Sequence, residues 1–313
     1  MTISLLVLIP LDAERLARIA AAGFHIILAP TPAQRHAAIA QAAGFLRAVL
    51  TNGATGFTAA EMDALPKLEI ICAIGVGHET IDVAAAHARG IMVTHGPGTN
   101  ATSVADHAMA LLLAIAHDIP RADTAVRRGE WMQARQPRAG ISGRRLGILG
   151  LGQIGLEIAR RAEAGFGMDV AYHNRRARAD VAQPWMASVT ALAEWSDFLL
   201  VAAPGGAATR HLVNAGVLAA LGPAGYLINI GRGSVVETAA LVTALRTGQI
   251  AGAALDVVDG EPEVPPALAA LGNVIITPHI AGRSPDALQA TANQVAANLR
   301  AHFAGDPVLT PVP

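Results

Sequence analysis

Short apolar runs recur along the first third of the chain, at Ile3 to Pro10, Phe24 to Ala29, Ala48 to Thr51, Leu68 to Gly75 and Ile91 to His95, and each predicts a strand. The stretches between them, Asp12 to Ala22, Pro32 to Ala43, Ala59 to Leu65 and Ile81 to Ala88, predict helices long enough to cross over a sheet. This alternation predicts a parallel α/β domain. The turn-rich segment Gly96-Pro97-Gly98-Thr99-Asn100 interrupts it and leads into helices expected at Ala101 to His117 and Arg121 to Met132. Alternation then resumes, with strands expected in the run from Leu146 and at Met168 to His173, Phe198 to Ala203, Tyr226 to Gly231, Gly252 to Val257 and Val274 to Thr277, so a second parallel sheet follows. The last helical run, Ala287 to Phe303, has no sheet of its own to complete. It is expected to return to the first domain through a crossing near Ala281 to Pro285. The expected organisation is 1–98 plus 284–313 as one domain and 99–283 as a second, inserted domain, with ligands bound in a cleft at the carboxyl ends of the strands.

Composition narrows the function classes. The chain has 313 residues, 52% hydrophobic and 15% charged, with a net charge of −1, which fits a globular protein and leaves no electrostatic footprint for nucleic acid or an anionic membrane. The lone Cys72 excludes an intrachain disulfide, and no metal site is expected. The first apolar run is too short to span a bilayer and leads into Asp12 and Glu14, so it reads as a buried strand and a cytoplasmic location is expected.

The run Leu146-Gly147-Ile148-Leu149-Gly150-Leu151-Gly152-Gln153-Ile154-Gly155 reads as a strand breaking on glycines into a helix over Ile154 to Ala164. Gly150 allows a tight turn, Gly152 lets backbone approach a pyrophosphate, Gly155 lets the helix pack on the strand, and the helix start offers unpaired N–H groups. An NAD site carries a carboxylate about 20 residues past such glycines, to accept from the ribose 2′-OH. Here the next strand ends in His173-Asn174-Arg175-Arg176. With no acid to repel a 2′-phosphate and two guanidiniums to pair with it, NADP(H) is expected over NAD(H). The alternative is a solvated basic loop.

Three further segments end expected strands with polar groups. Arg232, between glycines in Asn229-Ile230-Gly231-Arg232-Gly233-Ser234, can clamp a substrate carboxylate, or can be a guanidinium on an exposed turn. Leu255-Asp256-Val257-Val258-Asp259-Gly260-Glu261 is an acidic cluster, a type that is commonly only solvated. Ile276-Thr277-Pro278-His279 puts a histidine at a strand end, where a structural role is common. Taken together the segments fit hydride transfer to a ketone, which needs a proton donor for the developing alkoxide and a cation for the carboxylate. His279 can donate, and Glu261 can orient it.

On these motifs, with Leu65-Pro66-Lys67-Leu68-Glu69-Ile70, Glu261-Pro262-Glu263-Val264-Pro265 and the tail Val308-Leu309-Thr310-Pro311, the chain resembles the D-isomer-specific 2-hydroxyacid dehydrogenases, nearest the NADPH-dependent glyoxylate/hydroxypyruvate reductases and plant-type hydroxyphenylpyruvate reductases. The resemblance implies two Rossmann/flavodoxin-like α/β lobes, the cofactor domain inserted into the substrate domain, and reduction of small 2-oxo acids to D-2-hydroxy acids. It implies that Arg232, Glu261 and His279 are catalytic and that Asp256 holds the nicotinamide carboxamide. Ile230, Ala203, Pro204, Thr209 and Gly282 would border the cofactor with Gln153 and Ile154. Backbone N–H groups at Val76 and Gly77 would bind the substrate carboxylate, beside His78, where the family commonly has an aromatic or aliphatic residue. Asn52 offers a further polar contact or simply forms a turn. Helices Ala101 to His117 and Arg121 to Met132 match the family's dimer arm, so a homodimer is implied. Open alternatives are another dehydrogenase of the same scaffold, acting on phosphoglycerate, phosphite or formate, and a non-catalytic dinucleotide-sensing protein.

Overall fold

The computed structural model describes residues 3–313. The chain forms two compact units, one made of the residues up to Asn100 together with Arg283–Pro313, the other of Ala101–Gly282.

In the first unit β1 (Ile3–Val7), β2 (Phe24–Leu28), β3 (Ala48–Thr51), β4 (Ile70–Ala73) and β5 (Met92–Thr94) form one parallel sheet in the order β2-β1-β3-β4-β5. Side chains alternate across a strand, so Leu6 and Leu8 pack on one face while Leu5, Val7 and Ile9 pack on the other. The second face is covered by helices Ala13–Ala21 and Pro285–Ala304, the latter being the C-terminal helix that the chain's pattern returned to this sheet. A capping box starts the short helix Ala59–Asp63: Thr58 accepts from Glu61 N, and Glu61 accepts from Thr58 N. Glu61 also receives a two-point contact from Arg35, at 2.5 Å from Nε and 2.6 Å from Nη2. Burial opposes the charge on Glu61, but the Arg35 and Thr58 hydrogen bonds outweigh it and hold its carboxyl below the ordinary value. A depressed carboxyl stabilises the fold above its unfolded value of 4.5, and that contribution is lost as pH falls through the lower folded value. Glu61→Gln should therefore lower the unfolding free energy by about 2 kcal/mol at pH 7. Denaturant titrations of both forms should converge as the pH is taken below 4.5 and through the lower folded value.

In the second unit β6 (Arg145–Leu149), β7 (Asp169–His173), β8 (Phe198–Val201), β9 (Tyr226–Asn229), β10 (Gly252–Leu255) and β11 (Val274–Ile276) form a parallel sheet in the order β11-β10-β9-β8-β6-β7. Helices Ala101–Ala116 and Gln153–Phe166 cover one face, and Val189–Trp195, Ala215–Leu221 and Thr238–Arg246 the other. The expected single helix Arg121 to Met132 is two, Ile119–Arg127 and Trp131–Ala134, because Gly129 takes a left-handed φ of 80° between them. The register places His173, Leu149, Val201, Asn229, Leu255 and Ile276 side by side across the sheet. Every polar segment singled out in this half of the chain therefore leaves the sheet at one edge. The order reverses at β6, with β7 on one side and β8 on the other, which is the switch point where open α/β sheets bind ligands.

Candidate active site

At that switch point Gly150 has φ 101°, and a Cβ on it would lie 2.6 Å from Ala203 N. No side chain fits there. A Cβ on Gly155 would lie 2.6 Å from Gly150 O, so the helix Gln153–Phe166 can approach β6 only through glycine. Gly152 differs, for nothing lies within 4 Å of its Cβ position. It is exposed, as is Gln153, and no side chain caps the helix, whose first N–H groups stay available to an anion. Ile154 is half-buried against the core.

Asn174 is engaged in holding this loop. Its Oδ1 accepts from Leu151 N at 2.7 Å and its Nδ2 donates to Leu151 O at 3.4 Å. Arg178, which the local pattern did not mark, donates from Nη1 to the same carbonyl at 2.7 Å and is paired with Asp180. The Arg178 backbone N–H donates to the buried Tyr172 hydroxyl at 2.7 Å, and Trp185 Nε1 donates to Asn174 O at 3.0 Å. The loop is thereby tied at both ends. Arg175 and Arg176 between these ties are exposed and form no ion pair or hydrogen bond among the described residues.

Across the sheet edge, Ala203 is wedged between glycines: a Cβ on Gly231 would lie 2.5 Å from Ala203 O. Pro204 is exposed, and the half-buried Thr209 donates to Gly206 O at 3.2 Å. Ile230 is only 7% exposed and packs in the core beneath this edge. Arg232 is extended and half-buried, its Nη1 2.8 Å from Gly231 O, and Asn229 fixes the turn by accepting from Gly231 N and donating to Arg232 O. Gly233 must be glycine because a Cβ there would lie 2.1 Å from Asp259 N, in the loop that carries Glu261.

His279 has a left-handed φ of 52°, which costs on the order of 1–3 kcal/mol in a non-glycine residue and persists only where neighbours impose it. Asp256 imposes it. This carboxylate is 1% exposed; Oδ1 accepts from Ile280 N at 2.9 Å and from Thr277 Oγ1 at 2.6 Å, and Oδ2 accepts from Ala281 N at 2.9 Å. The Asp256 carbonyl also accepts from His279 N at 2.9 Å. Asp256 thus positions the loop from Thr277 to the half-buried Gly282, whatever else it touches. Helix residue His107 joins it, with Nε2 3.0 Å from Thr277 Oγ1 and 3.4 Å from Asp256 Oδ1. In the chain's pattern His107 is one polar residue in an apolar helix and carries no local signal.

So held, His279 places Nδ1 2.5 Å from Glu261 Oε1, with its ring still 45% exposed. Burial pushes the Glu261 carboxyl up, but the His279 hydrogen bond and charge, the Val258 N–H and the Arg232 charge together leave it below its ordinary value. Glu261 is an anion that fixes Nδ1–H on the imidazole and turns Nε2 outward as the free nitrogen. Glu261 is thus reached by both the His279 imidazole and the Arg232 charge, each from a different loop.

In the first unit, Asn52 is a turn former. Its Oδ1 accepts from Ala54 N and Thr55 N at 3.0 and 2.7 Å, which leaves only its amide N–H groups for any further contact. Val76 is exposed and Gly77 half-buried.

Residues 109–281 match the family model for the D-isomer specific 2-hydroxyacid dehydrogenase NAD binding domain. The chain is 43% identical over 282 residues to the hydroxyphenylpyruvate reductase of Plectranthus scutellarioides, covering 90% of each. It is 42% identical over 268 residues to a glyoxylate/hydroxypyruvate reductase A of Arabidopsis thaliana, covering 85% of each. The crystal structure of the NADPH-dependent glyoxylate/hydroxypyruvate reductase from Sinorhizobium meliloti, in complex with NADP and malonate, matches with a TM-score of 0.92 at 40% identity, covering 100% of this chain and 97% of that one. The sheet order, the glycine turn and the extent of these matches lead to one conclusion: the chain belongs to the D-isomer specific 2-hydroxyacid dehydrogenase family.

Proposed function

We propose that the protein is an NADPH-dependent reductase of small 2-oxo acids, such as glyoxylate, hydroxypyruvate or an aryl pyruvate, forming D-2-hydroxy acids. The observation that carries this reading is the 2.5 Å contact of His279 with Glu261 beside the Arg232 charge. A bound nicotinamide supplies the hydride equivalent to the carbonyl carbon. As negative charge develops on the carbonyl oxygen, His279 donates the Nε2 proton to it, and Glu261 stabilises the cation that holds this proton beforehand. Arg232 binds the substrate carboxylate and steadies the carbonyl. Backbone N–H groups at Val76 and Gly77 take the same carboxylate. One 2-oxo acid, one NADPH and one proton are consumed for each hydroxy acid and NADP⁺ released.

The residues at the switch point fit the cofactor. The open space over Gly152 and the uncapped helix start suit a pyrophosphate, and the unpaired Arg175 and Arg176 suit a 2′-phosphate with no acid to oppose it. Dimer formation belongs to the same proposal. Helices Ile119–Arg127 and Trp131–Ala134 bury no side chain and expose Ile119, Val126, Trp131 and Met132, an apolar set suited to a second copy. A panel of 2-oxo acids assayed with NADPH and NADH tests the activity. Oxidation of NADPH with glyoxylate or hydroxypyruvate is expected, and inertness towards every 2-oxo acid would end the reading.

A further inference from the structure

The first unit holds a pair of histidines that this reaction scheme does not use. In its sheet Thr51 lies beside Ala73 and Cys72 beside Thr94, so the segments after β3, β4 and β5 leave at one edge. There the Val76 carbonyl faces two imidazoles, with His78 Nδ1 at 3.3 Å and His95 Nδ1 at 3.1 Å. The rings meet edge to face, 5.2 Å between centroids. His95 is itself fixed, its N–H donating to Thr310 O and its carbonyl accepting from Thr310 Oγ1 at 2.6 Å. A carbonyl has no proton to give, so each contact requires a protonated Nδ1. The N–H groups of Val76, Gly77 and His78 have no acceptor among the described residues.

The Val76 carbonyl and the Gly77 N–H are the two ends of one peptide group. Two donors on its oxygen draw electron density away from the nitrogen, and hydrogen-bonded groups in series polarise one another in this way. We propose that His78 and His95 are positioning residues that polarise and orient the Val76–Gly77 peptide, making the Gly77 N–H a stronger donor to the carboxylate of the substrate. The inference rests on the reading of this loop as the carboxylate site. Because the carboxylate is common to all 2-oxo acids, the pair strengthens binding of each by the same factor, whatever the rest of the substrate. Such uniform binding lowers KM and leaves kcat alone.

Steady-state kinetics of the full chain test it. The double variant His78→Leu/His95→Leu should raise KM for glyoxylate and for phenylpyruvate alike by about tenfold, with kcat nearly unchanged. The variant His78→Asn/His95→Asn, whose amide N–H replaces Nδ1–H, should keep KM close to that of the parent. An unchanged KM in the leucine variant overturns the proposal, and so does a different factor for the two substrates, which would set the rings against the substrate side chain. Should no 2-oxo acid support NADPH oxidation by the parent chain, the proposed function falls, and calorimetry with oxalate judges this inference alone: about tenfold weaker binding by the leucine variant supports it and equal binding overturns it. Imidazole nitrogen NMR of the unaltered protein gives a readout independent of variant folding. Both Nδ1 atoms should be protonated, and a bare Nδ1 on either ring overturns the assignment.

Discussion

His279→Ala should lower kcat by about 10²–10⁴-fold while NADPH binding stays intact, because general acid catalysis by a placed side chain accounts for acceleration of that order. The loss is confined to turnover for a structural reason: the loop's conformation is set by hydrogen bonds to Asp256, which remain when the imidazole is removed. Single-turnover measurements with saturating NADPH read the effect, and an unaltered rate would remove His279 from the role of acid. Glu261→Gln keeps a hydrogen-bonding group beside Nδ1 but removes the charge, so a smaller loss is expected. The pH profile supplies a second check. The Glu261 carboxyl lies below its ordinary 4.5, so its support of His279 is present above that value and disappears only as pH falls through the lower folded one. Any acid limb that belongs to Glu261 should therefore appear below about pH 4.5 and vanish in Glu261→Gln.

Arg175→Ala/Arg176→Ala should raise KM for NADPH by about 10–100-fold and leave KM for NADH nearly unchanged. Each guanidinium can give a charge-assisted hydrogen bond to a 2′-phosphate, worth about 1.5–3 kcal/mol when shielded and less at an exposed loop, so roughly 1 kcal/mol apiece is expected. Tenfold corresponds to about 1.4 kcal/mol. The loop itself should survive, since Asn174, Arg178, Tyr172 and Trp185 tie its ends without either arginine. Added salt should weaken NADPH binding more than NADH binding in the parent protein, and equally in the variant. Equal effects of the double substitution on both cofactors would remove the assignment of NADP(H).

Strands and glycine turns were legible in the chain because they are marked locally, by apolar runs and by residues with special backbone freedom. The helices Val189–Trp195, Ala215–Leu221, Thr238–Arg246 and Pro266–Ala269 are not legible in the chain's pattern, although Ser188 and Asn214 do cap the first two. Short helices with alanine-rich faces give little periodic contrast against an alanine-rich background. The apolar run Phe198 to Ala203 predicts one strand, but the strand stops at Val201, because Ala203 turns to pack against Gly150 and Gly231. The chain's local pattern does not disclose that Ile230 packs in the core or that Asn174 braces the glycine loop, since both partners come from distant segments.

What local order along the chain settles is the succession of strands, the glycine turn, and the residue types Arg232, Glu261 and His279 that proton transfer beside a carboxylate requires. It says nothing of register, since register depends on which strands pair, and pairing is a property of residues distant in sequence. The parallel register lines up six strand ends on one edge and brings the imidazole of residue 279 to the carboxylate of residue 261. The hold of Asp256 and His107 on the histidine loop, and the two imidazoles on the Val76 carbonyl, arise in the same way. Each joins side chains across many intervening residues, and only folding makes them neighbours.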